Sequence, residues 1–195
     1  MPTGVALRDV REQLFGAAER ILLRDGPDAL TSRAVTTEAG CAKGVLHRHF
    51  TDFDEFLAEL VQDRITRIGA QAHALERAAG TGTVVANLTG ALTDLFGTVA
   101  VSIVSLVIFR DELRARLRRT HPTGIPLLRE AGEMIAAYLR RERELGRIAA
   151  AADIDTLAPT LIGAAHMRFA DRSAPPEPEQ VAKMVTTVLA AALPG

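Results

Sequence analysis

Residues 40–50, GCAKGVLHRHF, gather a lysine, an arginine, two histidines and the chain's one cysteine into eleven positions. Such a set offers three chemistries: metal ligation, thiol redox chemistry and recognition of an anion. His47 and His49 stand two residues apart, and on a helix they point about 200° away from each other, so they do not converge on a metal. Cys41 falls at an apolar position between small residues and reads as a buried small hydrophobe rather than a sensor. The cations remain. If Leu46 and Phe50 turn inward, Gly44 and Arg48 lie opposite, Val45 and His47 flank them, and Lys43 projects from the first turn. Lys43 and Arg48 can then reach phosphates or the O6 and N7 atoms of guanine, and Val45 can touch a thymine methyl group. His47 can donate to a phosphate oxygen. Gly44 lets one backbone approach another, and the amides near Ala42 and Lys43 face an anion.

No catalytic constellation competes with this surface. The chain holds no nucleophile elbow, no phosphate-cradling glycine loop and no metal-ligand spacing, so no catalytic residue, metal or cofactor is expected. The acidic pair in "DID", 153–155, reads as a helix cap rather than as two working carboxylates.

A helix that reads a groove must be held from behind, and the flanking segments have the periodicity to hold it. The chain is expected to be all-α. Val10, Leu14, Ala17, Ala18, Ile21 and Leu22 form the stripe of a first helix that RDGPD ends. Thr31 can cap a short second helix with Val35 and Ala39 inward. Gly40 closes it, because glycine enters the left-handed conformation at a helix end without steric cost. The third helix is expected from about Ala42 to His49. TDFDE, with Asp52 and Glu55 at capping-box spacing, then opens a long fourth helix. A short helix, a glycine-containing turn and a second short helix braced by a longer one make a helix-turn-helix. The expected division is a helix-turn-helix domain at 1–52 and a helical domain at 53–195.

The second domain starts with an amphipathic stretch at 84–99. VSIVSLVIF at 101–109 follows, expected as a buried helix rather than a strand because its surroundings are helical. RDELRARLRRTHPTG reads as a charged helix end and turn whose arginines form solvated faces. A helix is expected over 125–146, and another over 155–171, with Pro159 tolerated near its first turn. Beyond the breaker SAPPEPE comes a last helix with an almost uninterrupted apolar pattern. Leu161 and Ala165, with Val181, Met184, Val185, Val188 and Leu189, are the expected contacts of a four-helix homodimer interface. Phe96, Phe109, Met134, Tyr138, His166, Met167 and Phe169 are candidates to line a cavity for an apolar or aromatic small molecule. His166, Tyr138 or His121 would orient it.

Composition limits the partners. A net charge of -1 over 195 residues means that nucleic-acid binding must come from a local basic patch. The start lacks the apolar core of a signal peptide and the longest apolar run is too short for a bilayer, so a cytoplasmic protein without membrane contact is expected.

From about Arg11 to Leu60 the stretch containing AAERILLRDGPDALTSRAVTTEAGCAKGVLHRHFTDFDEFLAEL resembles the TetR family of bacterial transcriptional regulators. The helix, the cap, "AG", "KG", "L", "HF" and the acidic-aromatic start follow in that family's order and spacing. Beyond residue 80 the resemblance is architectural. It implies a homodimeric repressor whose N-terminal domain binds a palindromic DNA operator and whose C-terminal domain holds a small-molecule effector. By the resemblance the DNA contacts fall on Thr31, Arg33, Ala42, Lys43, Gly44, Val45, His47 and Arg48. The chain departs from the family where a serine is frequent (Ala42), a threonine (Val45), a tyrosine (His47) and a lysine (Phe53). Those departures imply salt-sensitive binding supported by Arg8, Arg11, Arg33, Lys43 and Arg48. A helical interaction module without specific DNA binding, or an all-α enzyme, would be the alternatives.

Overall fold

The computed structural model describes residues 4–171 and 174–194, and the side chains from residue 10 onward. Among these the regular elements are all helical: α1 (Gly4–Arg24), α2 (Ser32–Glu38), α3 (Gly44–His49), α4 (Phe53–Arg77), α5 (Val84–Phe96), α6 (Ala100–Phe109), α7 (Asp111–Leu117), α8 (Leu128–Glu144), α9 (Ile154–Phe169) and α10 (Pro178–Leu189). No single helix among the described residues is long and apolar enough to cross a membrane. The chain forms two compact units, Met1–Asp63 with Ser102–Ile125 and Arg64–Val101 with Pro126–Gly195. The segment 102–125 thus joins the N-terminal unit, an association that no linear boundary at residue 52 can express.

The first unit has a core of Leu14, Ala17, Ala18, Ile21 and Leu22 from α1, Leu30 and Val35, Leu46 from α3 and Phe56, Leu57, Leu60 and Val61 from α4, all buried. From Leu14 to Leu22 the expected apolar stripe of α1 is therefore its inward face. Ser102 Oγ donates to the Leu22 carbonyl at 3.4 Å, which satisfies a helix-end acceptor of α1 inside the unit. Residues 111–117, expected as part of a charged helix end and turn, instead form a separate helix after the extended residue Arg110. Its acidic start, Asp111 and Glu112, suits the positive end of the helix dipole, and Leu113 and Leu117 are buried.

In the second unit α8 packs against α9, and α10 packs against α5 and α9. α8 begins at Leu128, three residues later than the sequence suggests. Leu127 before it holds a left-handed φ of 70°, its side chain buried and its N–H donated to the Glu130 carboxylate at 2.8 Å. Asp153 caps α9 as expected, accepting from Thr156 N at 3.1 Å and Thr156 Oγ1 at 2.7 Å. Pro159 is the sixth residue of α9, inside the helix rather than in its first turn. It lies on the exposed face, where water can serve the carbonyl that the missing N–H leaves free.

A buried polar network closes this unit. Glu142 is fully buried, accepts from the Tyr138 hydroxyl at 2.6 Å and pairs with Arg147 Nε at 3.2 Å. Tyr138 in turn accepts from Asn87 Nδ2 at 3.0 Å, and burial against that carboxylate pushes its phenol well above the ordinary range.

Candidate nucleic-acid interface

α2 and α3 are set by short-range chemistry that the sequence announces. Thr31 caps α2, its Oγ1 accepting from Ala34 N at 3.1 Å. Gly40 takes a φ of 66° and turns the chain, after which Cys41 N donates to the Thr36 carbonyl at 2.9 Å. Gln13 of α1 donates to the carbonyl of Ala39, the C-cap of α2, at 2.7 Å. α3 is one turn and a half, too short to persist alone, and its stability comes from its anchors. Leu46 is fully buried and Phe50 nearly so. The Phe50 ring meets Phe15 at 6.1 Å and stands edge-on to Phe56 at 5.1 Å.

With that face inward, the opposite face is open. Thr31, Arg33, Ala42, Lys43, Gly44, His47 and Arg48 are exposed, and Val45 is half-buried. The structure brings these eight residues onto the same small unit. The helix starts at Gly44, with Lys43 as its N-cap residue rather than an internal one. A Cβ at Gly44 would meet nothing within 4 Å, so packing inside the chain does not demand glycine there. Arg33, Lys43 and Arg48 form no ion pair among the described residues, and their charges remain available to an anion.

The neighbouring carboxylates, by contrast, are occupied. Glu38 accepts from Arg20 Nε at 2.8 Å and from Arg24 Nη1 at 3.1 Å, bonds that hold it below the usual carboxylate range. Asp52 accepts from Glu55 N and, less strongly, from Arg116, with the same effect. Glu55 is held low chiefly by the Thr51 hydroxyl and amide. The surface beside α3 therefore presents free cations and compensated anions.

Arg11 does not belong to that open set. Its guanidinium lies over the Phe50 ring and pairs with Glu59, so the expected backbone contact from Arg11 is corrected to an internal brace. The Arg8 side chain lies outside the described residues.

Residues 14–60 match the family model described as bacterial regulatory proteins, tetR family. This stretch, α1 to the first turns of α4, is thus similar to the N-terminal domain of the TetR family. A 69-residue stretch is 33% identical to the HTH-type transcriptional regulator PksA of Bacillus subtilis (strain 168), and it covers 34% of each chain. The chain thus matches about a third of that relative's length. Likeness of fold extends further. A TetR-family transcriptional regulator from Agrobacterium tumefaciens superposes with a TM-score of 0.73 at 15% identity, over 96% of this chain and 100% of that one. A solved complex of SmeT with triclosan gives 0.64 at 19% identity, over 95% and 92%.

In the second unit the expected pocket residues do not form one pocket. Phe96, His166 and Phe169 do meet: Phe96 lies 5.9 Å from the His166 ring and 6.1 Å from Phe169. Met134 is buried, and Tyr138 is bound to Glu142 and Asn87. Two expectations are corrected. Phe109 is 83% exposed and belongs to the other unit, and Met167 is 74% exposed at the end of α9. His121 is likewise in the first unit, paired with Gln62 at 3.0 Å. The second unit does hold an open cleft of about 290 Å³ between α4 and α5, lined by Gln71, Ala74, Ala78, Asn87, Gly90 and Asp94 among others. Sequence reasoning missed it because alanine and glycine walls leave no aromatic signature. Asn87, at the cleft, is the residue that reaches Tyr138.

The expected dimer contacts also need correction. Leu161, Ala165, Val181, Val185 and Leu189 are 0 to 1% exposed and Met184 is 7% exposed, so this protomer's own core already covers them. Val188 alone of the seven is half-exposed. The outward face of α9 includes Thr160, Gly163 and Met167, and that of α10 includes Lys183 and Thr186. The apolar period marks a buried stripe; it does not say who buries it.

Proposed function

We propose that the chain is a DNA-binding transcriptional regulator, acting as a repressor of a palindromic operator and released by a small apolar or aromatic effector. One observation carries this reading: α3 is fixed from behind by Leu46 and Phe50 and presents Lys43, His47 and Arg48 outward, with no acid paired to them among the described residues. As a homodimer, the protein would place two such helices in successive major grooves about 34–36 Å apart. DNA as the target implies action in the cytoplasm.

The effector would enter the second unit, where the Phe96, His166 and Phe169 cluster and the cleft beside Asn87 offer apolar walls with few polar groups. The triclosan bound by SmeT, a protein of the same fold, supports an aromatic ligand class. α4 supplies residues to both units, which makes it the element through which occupancy would reach the reading surface. Release requires the effector to favour the non-binding arrangement by about 1–3 kcal/mol.

The test starts with selection of bound duplexes from random-sequence DNA. Combined Lys43→Ala and Arg48→Ala substitutions should abolish specific binding to the selected duplex while leaving the helical content intact. Unchanged affinity would remove α3 from the interface. A screen for compounds that release the duplex then identifies the effector class.

A further inference from the structure

Two aspartates stand at the start of α4, Asp52 just ahead of its first residue and Asp54 in its first turn, and both are met by arginines from the 102–125 segment. Arg116 Nη2 donates to Asp52 Oδ2 at 2.6 Å, and Arg110 Nη2 donates to Asp54 Oδ1 at 2.9 Å, across 64 and 56 residues of chain. The arginines are about two-thirds covered, their side chains 29% and 35% exposed. Arg110 also lies 5.6 Å over the ring of Phe53. From Phe53 an aromatic series runs to the reading helix: Phe53 stacks on Phe56 at 5.6 Å, and Phe56 meets Phe50, the C-cap of α3, at 5.1 Å. His121 Nε2 and Gln62 Oε1, 3.0 Å apart, tie the same segment to α4 two turns further on.

Each end of this arrangement bears on DNA. Asp52 and Asp54 stand within six residues of Arg48, where the chain leaves α3 and enters α4, so what holds them also sets that junction. The aromatic contacts fix where α3 ends and therefore where its outward face points. Neither arginine is free to meet a phosphate while its carboxylate partner holds it.

We infer that Arg110 and Arg116 are positioning residues of the DNA-reading surface, acting through Asp54 and Asp52 to hold the first turn of α4 and the Phe50 end of α3. The inference rests on the DNA-binding reading above. It makes the segment 102–125 a working part of the reading head, and a cation contributes there without touching the nucleic acid.

The test measures affinity and its salt dependence on the duplex that the wild-type chain selects, below the melting temperature of every variant. Arg110→Gln and Arg116→Gln should each weaken binding about fivefold, within the range of partly covered ion pairs. The slope of log affinity against log salt should not change, because no phosphate contact is lost. In an Asp52→Asn background, which keeps the α4 cap, Arg116→Gln should have no further effect, and likewise Arg110→Gln beside Asp54→Asn. Arg116→Lys, which retains charge and pair, should recover most of the affinity. Unchanged affinity, a reduced salt slope, additive effects or a lysine variant no better than glutamine each overturn the inference. Lys43→Ala serves as the reference: it should weaken binding and lower the slope by about 1. If it does neither, the DNA-binding reading falls, whatever the arginines do.

Discussion

Arg11 holds its guanidinium 4.5 Å from the centroid of the Phe50 ring while its Nη1 donates to the His49 carbonyl at 3.3 Å. One α1 side chain thus covers the anchor of α3 and satisfies an acceptor at its C-terminal end, and Glu59 of α4 completes the set. Three helices of the reading head meet at one cation. Arg11→Met should lower stability by about 1 kcal/mol, discounted because the side chain is one-third exposed. Thermal unfolding checks this. If Arg11 contacted DNA instead, the variant would melt like the wild type and bind with a shallower salt dependence.

The reading head was legible because its signals are local. Thr31 caps within three residues, Gly40 turns the chain at one position, and Leu46 with Phe50 defines an inward face by spacing alone. The clamp of Arg110 and Arg116 on Asp54 and Asp52 was not legible. Its partners are far apart in sequence, and a charged helix face has the same pattern whether solvated or paired. The same limit explains the second unit. Apolar spacing in α9 and α10 announced a buried face, yet Val185 and Leu161 lie inside their own protomer. Apolar residue type likewise did not show that Phe109 and Met167 are exposed.

That burial changes what a substitution at Val185 tests. Val185→Asp would place a carboxylate at a fully buried site of α10, so it should cost about 3 kcal/mol or more and lower the melting temperature, not simply separate subunits. The proposed dimer is better probed at Gly163, which is exposed on α9 and where a Cβ would meet no atom within 4 Å. Gly163→Arg should leave the protomer folded and yield monomers by light scattering. A dimer that survives this change has its interface elsewhere.

The network around Glu142 makes a different prediction. Tyr138→Phe keeps the ring but removes the hydroxyl that donates to Glu142 and accepts from Asn87. Because Glu142 is fully buried, losing that donor should cost about 1–3 kcal/mol in urea unfolding. Glu142→Ala should cost more, about 2–5 kcal/mol, since it removes the acceptor of the Tyr138 hydroxyl and the Gly80 amide and empties a fully buried site. Equal stabilities for wild type and Tyr138→Phe would mean that water supplies the missing hydrogen bond.

His166 gives the second unit a pH dependence with a defined sign. Its Nε2 is buried with no hydrogen-bond partner among the described residues, the ring is set edge-on to Phe96, and burial holds its proton affinity below that of an ordinary histidine. In the unfolded chain the ring titrates near its ordinary value, about 6.5. Below that pH the unfolded state binds more protons than the folded one, so stability must fall as the solution is acidified. The loss begins near pH 6.5 and grows downward. The carboxylates held low by hydrogen bonds, Glu38, Asp52, Glu55 and Asp153, add their own losses only as pH falls below their ordinary range, near 4 to 4.5. The interval between pH 6.5 and 5 therefore separates the histidine from the acids. His166→Leu, which keeps an apolar body against Phe96, should flatten melting temperature against pH in that interval. A variant with the same slope as the wild type would assign the proton uptake to another group.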